Sequence, residues 1–151
     1  MGTKFLKATL LLVLTTFVAC SSKNDQGNTA APASPISDKG IGPVKSLTLV
    51  AVDPQLAAKG QQLFQSKCSA CHKIDEKYVG PVLKGVTQRR SPEWIMNMIL
   101  NPQEMTQKDP VAKDLLATHL TQMTFQNVSE EDARAILEYF RQNDAQAPKV
   151  P

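Results

Sequence analysis

Cysteine and histidine are scarce in this chain: three Cys and two His among 151 residues. Three cysteines in an exported protein do not suit a disulfide framework. A structural zinc takes about four nitrogen or sulfur ligands, and once Cys20 is set aside only Cys68, Cys71, His72 and His119 remain to supply them. A membrane-spanning run is missing as well. The apolar stretch Leu10 to Val18 is broken by Thr15 and Thr16, and it falls short of the roughly 20 residues a spanning helix needs. Charge of one sign is also lacking. The 17 basic and 14 acidic residues give +3, and without Lys4 and Lys7 the balance is 15 to 14. Asp53 to Asp144 carries 11 basic and 12 acidic residues, so bulk charge excludes a nucleic-acid binder. No paired strands or internal repeats are apparent.

What is present begins with an export signal. Lys4 and Lys7 precede the apolar stretch, and the apolar run stops at Phe17-Val18-Ala19-Cys20 before the polar Ser21-Ser22-Lys23-Asn24. This resembles a bacterial lipoprotein cleavage box, although Phe17 stands where such boxes usually have Leu or a small aliphatic residue. It implies removal of residues 1–19 and lipidation of Cys20. Residues 21–43 are rich in Ser, Asn, Ala, Gly and Pro, the composition of a linker. In Val44 to Val52, Leu47, Leu49 and Ala51 alternate with Thr48 and Val50, a strand-like pattern without a partner strand. The expected organisation is a flexible linker and extended arm over 20–52, a domain over 53–146 and a tail over 147–151.

The domain reads as all-α with about four helices. Asp53-Pro54 and Ser91-Pro92 pair a capping side chain with proline in the first turn, and Asp109-Pro110 repeats the pattern. The second helix is expected to stop at Asn101-Pro102, leaving Met105 in a loop, and the third to reach about Leu120. Ser129 with Asp132 three residues on is a shortened capping box, opening a last helix that ends near Asn143. In the first helix, Leu56, Gly60, Leu63, Phe64 and Lys67 share a side. Gly60 there predicts a close crossing, with Ile136 and Tyr139 of the last helix as its partners.

The first helix runs into Cys68-Ser69-Ala70-Cys71-His72. Two thiols one turn apart, followed at once by an imidazole, form the attachment pattern for a c-type haem. The thiols would make two thioethers and His72 would bind the iron, which leaves Cys20 for lipid and no cysteine over. A sixth ligand is open among Met123, Met105 and His119. Met96 and Met98, two apart on a helix, cannot share a face and read as packing or surface residues.

The helix leading into CSACH is followed by Val79-Gly80-Pro81-Val82-Leu83-Lys84-Gly85-Val86, by Arg90-Ser91-Pro92-Glu93-Trp94-Ile95, and by Met123 ahead of a last helix carrying Tyr139. Together these resemble a class I monohaem cytochrome c over about Asp53 to Asp144. The resemblance implies one covalent haem c with His72 as proximal and Met123 as distal iron ligand. It implies that the Pro81 carbonyl orients His72, that Trp94 sits near a propionate, and that Arg89 or Arg90 pairs with one. Plain packing is the competing role for Trp94, and solvent exposure for the arginines. Thr124 departs from the family, which very often has Pro after the methionine.

The expected role is one-electron transfer by a non-enzymatic, membrane-tethered periplasmic carrier. Its donor would be a quinol-oxidising respiratory complex and its acceptor a terminal oxidase or periplasmic reductase. The stretch from Asp109 to Met123, with Arg89-Arg90, is similar to small cytochromes accompanying nitrous-oxide reductase. A haem-based gas sensor and a haem subunit of a larger oxidoreductase are the alternatives. Lys67, Lys73, Lys77, Lys84, Arg89 and Arg90 would form a basic rim around the haem edge.

Overall fold

The computed structural model describes residues 38–146, so the signal, Cys20 and most of the linker lie outside the described residues. Its helices are α1 (Pro54–Lys67), α2 (Val86–Arg89), α3 (Pro92–Leu100), α4 (Pro102–Lys108), α5 (Pro110–His119) and α6 (Glu130–Gln146). The described residues contain no strand. Each cap forms where its spacing places it. Asp53 Oδ1 accepts from the N–H groups of Gln55 and Leu56, and Ser91 Oγ accepts from Trp94 N–H at 3.0 Å. Asp109 Oδ1 accepts from Ala112 N–H at 2.8 Å. At α6, Ser129 and Asp132 cap reciprocally, with Asp132 N–H donating to Ser129 Oγ at 3.1 Å and Ser129 N–H to Asp132 Oδ2 at 3.4 Å.

Among the described residues, six helices replace the expected four or so. Asn101-Pro102 ends α3 as expected, but proline also suits a first helical turn, so the chain restarts at once as α4. Met105 therefore lies on a helix and not in a loop. The added α2 is a single short turn after Gly85, whose φ of 74° suits glycine.

The largest helix pairing is α1 across α6. Ala57, Gly60 and Phe64 are the buried face of α1. A Cβ on Gly60 would lie 1.9 Å from the Ala135 carbonyl oxygen and 3.0 Å from Ile136 N, so only glycine permits this approach. Phe64 then packs its ring on Tyr139 and, edge-on, on Phe140, with centroids 5.5 and 5.8 Å away. The predicted crossing is present, made through the Ala135 backbone as well as Ile136 and Tyr139.

The arm packs on the opposite elements from Asp38 onward, earlier than the composition of 21–43 suggests. Asn97, fully buried on α3, accepts from Val44 N–H at 2.9 Å and donates to the carbonyls of Val44 and Lys39. Ser91 Oγ donates to the Asp38 carbonyl, and Arg141 donates to that of Val50. The strand-like alternation fails. Val44 is buried and Leu47 half-buried, while Leu49 and Val50 face solvent. The arm is held by side chains of α3, α4 and α6, not by a neighbouring strand, so no two-residue period is imposed on it.

Candidate haem-binding site

The site begins where α1 ends. Cys68 N–H and Ser69 N–H both donate to the Phe64 carbonyl, and Cys71 and His72 N–H return to that of Cys68 at 3.1 and 2.9 Å. Cys68 to His72 is thus one more helical turn, which gathers both thiols and the imidazole at the end of a rigid helix. The chain then doubles back along it. Gly80 N–H donates to the Cys71 carbonyl at 2.9 Å, Leu83 N–H to that of Lys73 and Lys84 N–H to that of Ile74.

This return lays Gly80-Pro81 on the His72 ring. A Cβ on Gly80 would stand 2.4 Å from Cε1 and 2.7 Å from Nδ1, so the imidazole occupies the space any other residue would fill. His72 Nδ1 is buried without a hydrogen-bond partner. Burial pulls the imidazole below its ordinary pKa, the Pro81 carbonyl opposes this, and His119 nearby lowers it further. The neutral ring this favours is the form that binds a metal. Burial also pushes the Cys68 thiol up, against the attraction of Lys67.

Cys68, Cys71, His72, Gly80, Pro81 and Met123 line one largely apolar cavity, with Phe64, Ile95 and Ile136 among its walls. Met123 sits half-buried in the irregular stretch 121–128. Met105 does not line this cavity. It is fully buried in the core, and its sulfur accepts from the Ile41 N–H of the arm at 2.9 Å, which removes it as a sixth ligand. Met96 is likewise core. Met98 does line the cavity, as does His119, whose Nδ1 stands 3.3 Å from the Val79 carbonyl oxygen.

Trp94 is buried at the cavity wall, but its indole N–H already donates to Asp109 Oδ1 at 3.2 Å, so its contacts favour packing. Arg89 and Arg90 both border the cavity. Arg89 donates to the carbonyls of Lys84 and Val82, and the Arg90 guanidinium stacks 5.4 Å over the Trp94 ring. Two residues have supporting roles that the sequence reading does not assign. Gly80 could have been found from its place beside Pro81. Asp144 could not: it reaches from α6 to accept from Gly85 N–H (2.6 Å), Thr87 N–H (3.0 Å) and Thr87 Oγ1, capping α2 from 57 to 59 residues away.

The donor set fits a covalently held haem: two thiols and an imidazole in one turn, a glycine cradle under the ring, and a thioether on the same apolar cavity. That set defines a c-type haem protein. The cytochrome c family pattern matches residues 57–144, and the chain belongs to the cytochrome c family. The fold is similar to that of cytochrome c from Rhodothermus marinus, at 50% identity and a TM-score of 0.68 over 69% of this chain and 90% of that one. Cytochrome c-551 of Stutzerimonas stutzeri is 49% identical over 43 residues, 28% of this chain and 41% of that protein. The cytochrome c-553-like protein of Synechocystis is 37% identical over 62 residues, 39% of this chain and 59% of that protein. The chain thus spans about half the length of these two curated relatives. The family carries covalent haem c, and the single CxxCH of this sequence makes one attachment site.

Proposed function

We propose that the protein is an electron carrier whose single haem c is bound through Cys68 and Cys71 and ligated by His72 and Met123. The observation that carries this reading is that His72 and Met123 line one cavity together with both thiols. When bound, haem c supplies a one-electron iron couple. His72, packed against Gly80, lines the cavity with its imidazole. A Met/His pair raises the reduction potential relative to other axial pairs, and the apolar walls favour the less charged reduced form. His72 and Met123 would both hold the metal, which would leave no position for a substrate, so the chemistry the group would supply here is one-electron transfer. Arg89 and Arg90 are the residues to balance the propionates.

The edge near Ala70 is the proposed exit for the electron, ringed by the basic residues from Lys67 to Arg90. Lys84 is already paired with Asp75 at 3.0 Å, and Lys73 sits over the exposed Tyr78 ring, so part of this charge is neutralised or fixed locally. The partner is an acidic surface, on a quinol-oxidising complex as donor and on a terminal oxidase or nitrous-oxide-type reductase as acceptor. Export and lipidation at Cys20 would hold the carrier at a membrane on the periplasmic side. No helix among the described residues is long and apolar enough to cross a membrane.

Carbon monoxide binding tests the ligand set. The native ferrous protein should stay six-coordinate and ignore the gas, while Met123→Ala should bind it and show a lower potential. One observation favours a gas-sensing role instead: no backbone–backbone hydrogen bond holds residues 121–128 among the described residues, which would ease displacement of Met123. Ready carbon monoxide binding by the native protein would sink the carrier reading in favour of the sensor. Mass spectrometry of the mature N-terminus tests Cys20, and co-purification of a large catalytic partner would point to an oxidoreductase subunit.

A further inference from the structure

Between α5 and α6 the chain has little to hold its shape. Residues 121–128 form no helix or strand and make no backbone–backbone hydrogen bond among the described residues. Two non-glycine residues adopt the left-handed region here, Leu120 just before the stretch and Asn127 within it, each at φ 53°. For Leu120 that conformation carries steric strain, and the side chain is 85% exposed besides. Thr124 does not stiffen the turn as a proline would. A loop with these features needs external anchors to present Met123 in one place.

The anchors are polar side chains. Thr106 is buried on α4, and its hydroxyl donates to the Pro102 carbonyl of its own helix at 2.9 Å. This leaves its oxygen free to accept. Gln122 Nε2 donates one hydrogen to that oxygen at 2.9 Å and the other to the Met123 carbonyl at 3.0 Å. One carboxamide therefore ties the Met123 backbone to the rigid wall of the domain. On the far side of Met123, Lys67 Nζ donates to the Gln126 carbonyl at 3.3 Å, and the Gln126 amide closes on Thr124 Oγ1 at 2.9 Å.

We infer that Thr106 and Gln122 are positioning residues for the sixth ligand, a clasp that holds Met123 over the cavity where a proline would otherwise stiffen the loop. The inference rests on the proposed ligation by Met123. It predicts that breaking the clasp loosens the ligand without altering the attachment turn at Cys68–His72.

The test uses the full-length haem-loaded ferric protein, with imidazole as a competitor for the sixth position and chymotrypsin as a probe at the exposed Phe125. Thr106→Val and Gln122→Ala should each bind imidazole about five-fold more tightly, the effect of losing one ordinary hydrogen bond. Both should be cut faster within 121–128. The double variant should match Gln122→Ala, because that variant has already lost the contact Thr106→Val removes, and Thr106→Ser should restore the native values. Unchanged imidazole affinity and cleavage in both variants would overturn the clasp, as would additive effects. If Thr106→Val does not fold, the exposed Gln122→Ala decides alone. Met123→Ala separates the two readings: native imidazole affinity in that variant refutes ligation by Met123, whereas cleavage rates still judge the clasp.

Discussion

Replacing Gly60 with alanine sets two known effects against each other, and the structure predicts which prevails. Alanine is the better helix former by about 1 kcal/mol, so in an exposed helix the change would stabilise. Here the new methyl would meet the Ala135 carbonyl oxygen at 1.9 Å, where a relaxed carbon–oxygen contact needs about 3.3 Å. The obstacle is backbone on both sides, so no side chain can rotate away. α1 and α6 must part by on the order of 1 Å, a gap that forfeits a quarter to a half of each contact energy along the seam. The Phe64 contacts with Tyr139 and Phe140 are on that seam. Overpacking of this kind costs about 3 kcal/mol at the upper end of its usual range. After the helix gain, the net loss is about 2 kcal/mol, or roughly 10 °C in Tm for a domain of this size. Thermal unfolding followed by circular dichroism, at matched haem loading, measures it. Gln61→Ala, one residue along on the exposed side of α1, should melt within a few degrees of the native protein. A Gly60→Ala protein that melts at or above the native temperature would refute the argument that backbone contact sets this crossing.

Gly80→Ala should lower haem incorporation during maturation, because its methyl would stand 2.4 Å from His72 Cε1 and force the ring aside; the ratio of haem absorbance to protein mass reports it. Asn97→Ala removes three hydrogen bonds to the arm and should cost about 3 kcal/mol, with limited proteolysis now cutting between residues 38 and 52. Glu138 titrates with the fold. Burial pushes its carboxyl up, but Arg134 and Arg141 together outweigh this and hold it below its ordinary value of 4.5. Its stabilisation is therefore present above pH 4.5 and lost as pH falls through the lower folded value, so Glu138→Gln should flatten the acid limb of the stability curve below pH 4.5. An unchanged acid limb would show that the two arginines do not favour the ionised form.

What is legible of the site in the sequence is its local part. Cys68 to His72 is one turn of chain, and its geometry follows from the spacing. The choice among methionines was different. Met105 and Met123 are both plausible on sequence grounds, and the loop expected around Met105 made it more so. Packing separated them: Met105 became a core residue gripped by Ile41 of the arm, whereas Met123 stayed at the cavity. Trp94 shows the same limit, since its indole donor went to Asp109, a residue recognised in the sequence only as a helix cap. The arm is legible in the sequence as extended, but its inward residues are not, because a strand period does not apply to a segment held by side chains.

By itself the sequence determined the helix starts at Asp53, Ser91, Asp109 and Ser129, the attachment turn, and the glycine at the helix crossing. Each depends on groups within about four residues of one another, or on one residue whose missing side chain carries the information. The tertiary structure decided that Met105 lies in the core and away from the cavity, where the arm lies, what caps α2 and what Gln122 reaches. Those contacts join residues 16 to 91 positions apart, such as Thr106 with Gln122 and Val50 with Arg141. Many pairings of such polar groups are chemically equivalent along the chain, and only the packing of α1 on α6 and of the arm on α3 brings one set within hydrogen-bond reach.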